Sequence, residues 1–275
     1  MVNRNDYNDL QVRAAKSVLL ELGHALGQYR DHLVVIGGWV PQLILQDSKE
    51  KHVGSIDVDI ALDHREIGET EYKLIYNILI SLDYVEGKQP FIFRKKFSLD
   101  DQEVVVEVDL LSGEYNGTDG NHRTQKIQNI HTRKARGADL VFTHNQKVII
   151  RGRLPSGYKD STEVRVSSVP AFIVMKAFAL RDRLKQKDAY DIIFCLKNFP
   201  GGIDELIERF KPILKNGLTL EALNILEDKF SSVDSLGPEF VAEFESLSDE
   251  EEISLLKRDA FERVQYLLRG LLKGN

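Results

Sequence analysis

The chain has 275 residues, a hydrophobic fraction of 42% and a net charge of −6, which suits one large globular domain or two modest ones with enough apolar residues for a core. No apolar run approaches the roughly 18 residues of a membrane span, and the polar start MVNRNDYNDLQVRAAK is unlike a signal peptide. A single cysteine, Cys195, excludes an internal disulfide and fits a reducing compartment, so a cytoplasmic protein is expected.

In chain order, residues 10–29 have helical apolar spacing. Residues 33–36 read as a short buried strand, Gly37-Gly38 as a turn, and residues 39–46 as a helix that tolerates Pro41 in its first turn. Residues 55–62 read as a second strand and residues 70–82 as an amphipathic helix. Residues 91–99 and 103–111 read as strands about the turn Asp100-Asp101. The polar stretch 112–137 reads as a long loop, and residues 140–142 and 147–150 as a short hairpin.

The character changes after Pro170. Residues 171–197 are strongly helical, and Gly201-Gly202 breaks the pattern. Residues 203–210, 218–230 and 239–244 are helical in pattern, and Ser248 to Glu251 reads as a capping box for a last helix through Leu272. The expected architecture is an α/β (α+β) N-terminal domain with a mixed sheet, residues 1–165, followed by an all-helical domain, residues 166–275.

Charge is unevenly spread. Residues 121–153 hold eight Lys/Arg (Arg123, Lys126, Arg133, Lys134, Arg136, Lys147, Arg151, Arg153) against Asp139 alone, whereas residues 201–275 hold nine basic and sixteen acidic residues. The middle segment is a candidate contact for a polyanion such as RNA.

The chemistry concentrates in VVIGGWVPQLILQDSKEKHVGSIDVDIAL, residues 34–62. A Gly-Gly turn opening a helix lets backbone amides approach phosphates. Asp57 and Asp59, two apart on a strand, share one face. Neighbouring carboxylates repel unless a cation neutralises them, and Mg²⁺ suits oxygen ligands, with Mn²⁺ a possible substitute. A partner strand, EVVVEVDLL, offers Asp109 as a third ligand, with Glu107 its rival. The seven histidines lack the paired spacing of a zinc site. Trp39 is open to two roles, stacking on a base or anchoring its helix.

This order of strand, Gly-Gly, helix, D-x-D strand and acid-bearing strand resembles the nucleotidyltransferase superfamily that includes DNA polymerase β, over about residues 33–111. The segment VMKAFALRDRLKQKDAYDIIFCL, residues 174–196, narrows the likeness. It looks like the AbiEii/AbiGii toxin family of nucleotidyltransferases, where a Ser/Thr-x-Asp-x-Asp strand, a helical lysine and a later aspartate recur. The resemblance matches Ser55, Asp57 and Asp59 to the first motif and Lys176 to the lysine. It matches Asp188, or alternatively Asp191, to the last aspartate. The family usually has a small or hydroxylated residue after Gly-Gly, where this chain has Trp39.

The resemblance implies an enzyme moving NMP from an NTP to an RNA, such as a tRNA end, or to a protein hydroxyl. Asp57, Asp59 and Asp109 would bind the metals and, with Lys176 and Asp188 from the helical domain, form the catalytic set, while Gly37, Gly38, Ser55, Lys176 and Asp191 would contact the nucleotide. It also implies a toxin with a cognate antitoxin. Lys176, with an apolar stem, is expected to offer its ammonium at the helix surface. On an unbroken helix Lys176, Arg183, Lys187 and Asp191 would share a face; a restart near Lys187 would make Asp188 an N-cap. A D-x-D glycosyltransferase and a catalytically silent nucleotide-binding module are the rival readings.

Overall fold

The computed structural model describes residues 3–63, 65–89, 92–112, 124–127 and 130–272, and these form two compact units. One comprises Tyr7–Ile44 and Gly54–Ser168; the other comprises Met1–Asp6, Leu45–Val53 and Val169–Asn275. The change from the first unit to the second thus falls at Ser168/Val169, and two short N-terminal segments belong with the helices.

The first unit is a mixed sheet with helices. In chain order it holds α1 (Asp9–Ala25), β1 (Leu33–Ile36), α2 (Trp39–Ile44), β2 (Val58–Leu62), α3 (Glu69–Ser81), β3 (Tyr84–Glu86), β4 (Ile92–Leu99), β5 (Gln102–Ser112), β6 (Thr124–Ile127), β7 (Ile130–Lys134), α4 (Ala138–Thr143), β8 (Asn145–Arg153) and β9 (Lys159–Ser167). The strands run β3-β4-β5-β2-β1-β9-β8, and the β6–β7 hairpin branches off β5. β2 is antiparallel to β1 but parallel to β5, while β9 is parallel to β1. Asp100 and Asp101 both take positive φ, so β4 and β5 join through a two-residue turn that matches strand twist. α1 packs on one sheet face, where its buried Ala14, Ala15, Val18, Leu19 and Leu22 meet the Leu33, Val35, Ile60 and Val164 side. Alternation along the strands puts Asp59 and Asp109 on the opposite face.

Two expectations for this unit need correction, and one strand went unread. The 112–137 stretch is not one long loop, because it contains β6 and β7. Residues 140–142 lie in α4 rather than a strand, and the hairpin there pairs β8 with β9 instead. β9 reads weakly in sequence because polar residues alternate with Thr162, Val164 and Val166, yet it sits beside β1 inside the sheet.

The helical unit contains α5 (Val169–Arg183), α6 (Gln186–Asn198), α7 (Gly202–Phe210), α8 (Gly217–Lys229), α9 (Leu236–Glu245) and α10 (Glu250–Leu272) around buried Phe172, Phe210, Phe230, Phe244 and Leu267. The expected 171–197 helix is two helices. Leu184 adopts φ +49, a left-handed conformation that costs an L-residue about 1–2 kcal/mol, and α6 begins afresh at Gln186. Asp188 lies within the first turn of α6, three residues after the Lys185 cap, so it is not the N-cap.

The last helix also starts differently. Asp249, not Ser248, accepts the free amide of Glu252 (2.9 Å). We therefore expect Asp249→Ala to lower stability in a urea melt by about 1 kcal/mol, and Ser248→Ala to leave the midpoint almost unchanged.

Candidate functional site

In the sheet unit, β1 ends at Ile36, whose register partner on β2 is Asp59. Asp59 is in turn in register with Asp109 on parallel β5. The two acids therefore stand on adjacent strands about 4.8 Å apart and on one face. Their neighbours Val58, Ile60, Val108 and Leu110 are buried on the other face, which fixes that orientation.

The Gly-Gly turn follows directly. Gly37 has φ +68, and a Cβ added there would stand 1.8 Å from Asp59 Oδ2. Only glycine lets the backbone pass this close to the carboxylate. The six-residue α2 that follows carries a weak dipole, so the turn's own amides are what a phosphate would meet.

Asp57 lies in the bend just before β2 rather than in the strand, and it is exposed. Two contacts hold it. The Ser55 hydroxyl donates to its carboxylate, and the Trp39 indole N–H donates to its backbone carbonyl (2.7 Å). Trp39 is fully buried, so it anchors this bend and has no face to offer a base. Glu107, the rival to Asp109, takes a two-pronged bond from Arg94 on β4 (2.6 and 2.9 Å).

Among the described residues no group of three or more His, Cys, Asp or Glu is arranged as a ready cation cage. What the sheet offers is the Asp59–Asp109 pair, with exposed Asp57 in the bend two residues before Asp59. These oxygen donors, with the Asp59 carboxylate packed against the bare Gly37 backbone, fit a hard divalent cation.

The helical unit holds the other expected residues, in a network of its own. Lys176 is buried, so its ammonium is not at the helix surface. It donates to Asp188 Oδ1 (2.8 Å) and lies 2.7 Å from Asp191 Oδ2. Arg183 grips Asp188 through two bonds of 2.7 Å. Lys187 donates to Asp191 at 2.8 and 3.1 Å, and His52 Nε2 lies 2.9 Å from Asp191 Oδ1. The break at Leu184 turns both acids toward Lys176, which an unbroken helix could not do.

Burial alone would push the ionised forms toward neutrality, but the ion pairing outweighs it. The Asp188 and Asp191 carboxylates fall below their ordinary range because Lys176 adjoins both, while Arg183 helps the first and Lys187 the second. The Lys176 ammonium is held above its usual value by the two acids despite its burial. His52 goes the other way. Burial lowers it, Lys187 and Lys176 oppose a further positive charge, and the Asp191 bond recovers only part, leaving it at about 4.

His52 was not legible as a partner, because it meets Asp191 across 139 residues of sequence. It is stacked on Tyr190 and edge-on to Phe194. Of the basic segment, Arg123, Lys126, Arg133 and Lys134 fall outside the residues whose side chains are described; Lys147, Arg151 and Arg153 lie on β8. Compared with known proteins, the sequence matches no family model and no curated relative. No helix among the described residues is long and apolar enough to cross a membrane.

We expect Gly37→Ala to disrupt this site even where the chain folds. The Cβ must displace Asp59, and the positive φ adds strain of about 1 kcal/mol. Denaturant melts and divalent-cation titration would detect the two effects separately.

His52 also makes acid stability predictable. Unfolded histidine binds a proton below about pH 6.5, whereas folded His52 does so only near 4. Between these values the unfolded state holds more protons, so stability falls on acidification, by on the order of 3 kcal/mol across the window. Melts of His52→Gln from pH 7 to 4.5 should show a flatter pH dependence than wild type.

Proposed function

We propose that the chain is a Mg²⁺-dependent nucleotidyltransferase moving NMP from an NTP to a hydroxyl of RNA or protein. The observation that carries this reading is the Asp59–Asp109 register pair, with Asp59 packed directly against the Gly37 turn. Adjacent acids beside a glycine turn suit a polyphosphate that arrives with its cation. The bound cation would neutralise phosphate charge and help activate the acceptor oxygen.

Asp59 and Asp109 would hold the cation, and Asp57 would join them by leaving the Ser55 hydroxyl. The amides of Gly37 and Gly38 would receive the terminal phosphates. The acceptor oxygen bonds to the α-phosphorus, the α–β bridging bond breaks, and pyrophosphate leaves. Asp109 is the acid that would take the acceptor's proton.

In this reading Lys176, Asp188, Asp191 and Arg183 form the polar framework of the helical unit. The sequence likeness to AbiEii-type proteins supports extending the proposal to a toxin restrained by an antitoxin.

Removing a group that merely supports a metal ligand already costs roughly 10–100-fold. Asp59→Asn and Asp109→Asn should therefore lower transfer from α-labelled NTPs to total RNA or lysate protein by about a hundredfold or more, with unchanged circular dichroism. Full transfer by both variants, or no transfer by folded wild type with any NTP, would reject the proposal.

A further inference from the structure

The β8–β9 ribbon carries a feature that the reaction leaves unused. Opposite residues in an antiparallel pair point to the same face. The register sets Lys147 opposite Arg165, Ile149 opposite Glu163, Arg151 opposite Ser161 and Arg153 opposite Lys159. The alternate residues turn the other way: Thr162 donates to the Gly23 carbonyl of α1 (3.2 Å), and Asp160 lies 3.3 Å from His24 of α1. The first set therefore occupies the sheet face opposite α1, which is also the face of Asp59 and Asp109.

That face is rich in cations toward the ribbon tip, with Ile149 and Ser161 among them. It holds Lys147, Arg151, Arg153, Lys159 and Arg165 against Glu163. Lys147 is spent on Glu163 (2.8 Å), and Arg165 on Asp31 (2.6 Å). Arg153 donates to the Gly157 carbonyl (3.0 Å), and Arg151, Arg153 and Lys159 are all exposed. At the tip, Tyr158 is 75% exposed.

We propose that this ribbon face is a docking surface for single-stranded RNA. Arg151 and Arg153 stand about 7 Å apart along β8, a step suited to successive phosphates of an extended strand, and Lys159 stands opposite Arg153. The exposed Tyr158 ring offers a stacking surface for a base. An acidic peptide would use the charges and leave the ring idle.

The ribbon tip lies about seven residues, roughly 23 Å, along β9 from the Val35–Val166 pairing near Gly37. A strand bound at the tip and reaching the acids must therefore be several nucleotides long. Use of the bound RNA as acceptor rests on the transferase reading; the binding itself does not.

The test is fluorescence anisotropy of a labelled oligouridylate of about twenty nucleotides, without NTP or divalent cation. Wild type should bind with strong salt dependence. Arg151→Ala/Arg153→Ala/Lys159→Ala should bind at least about tenfold more weakly, with a log–log salt slope shallower by about 2. Tyr158→Ala should lose about tenfold. Asp59→Asn, deficient in transfer, should bind RNA as wild type does. The proposal fails if wild type does not bind, if the triple variant binds equally, or if Tyr158→Ala has no effect.

Discussion

The carboxylate of Asp59 fills the space that any side chain on residue 37 would need, and the geometry of the sheet follows from that contact. Gly37 turns sharply through a positive φ, so β1 can end against Asp59 and α2 can begin at once. The same start places Trp39 beneath the Asp57 bend, where its indole holds the backbone carbonyl. Register carries the constraint across to Asp109. A one-residue slip of β2 would turn Asp59 toward α1 and Val58 toward solvent, so core packing and site geometry are specified by the same pairing.

The helical unit meets a different demand. Two buried lysines and two buried carboxylates share a network with a neutral histidine, and Arg183 closes it from the exposed side. Desolvating such groups is costly, and their mutual attraction offsets that cost only when geometry is good and every partner is present. Both acids here take several charged donors. The left-handed Leu184 is part of the same arrangement, because it sets the start of α6 so that Asp188 and Asp191 both reach Lys176.

Much of the sheet was legible because its signals are local. The 33–36 strand, the Gly-Gly turn and the Asp100-Asp101 turn each depend on a few adjacent residues. β9 was not, since its alternating polar residues resemble a linker and its place beside β1 is a long-range property. The candidate acids were recognisable by type and spacing, but choosing Asp109 over Glu107 needed strand register, and Glu107 proved to be engaged by Arg94. Lys176 was found and its environment misjudged, because apolar neighbours in sequence describe the stem and say nothing of where the ammonium ends. His52 lay beyond reach, as no local pattern links it to Asp191.

The chain also passes between its two compact units four times, at residues 6/7, 44/45, 53/54 and 168/169. The helical unit is therefore not a C-terminal module that could be cut away as a single piece. A fragment beginning at Val169 would lack His52 and leave Asp191 short of one partner. It would also lack Arg4, which binds Glu245. Circular permutation, domain exchange and limited proteolysis, which treat domains as beads on a string, all meet a chain that is interlaced instead.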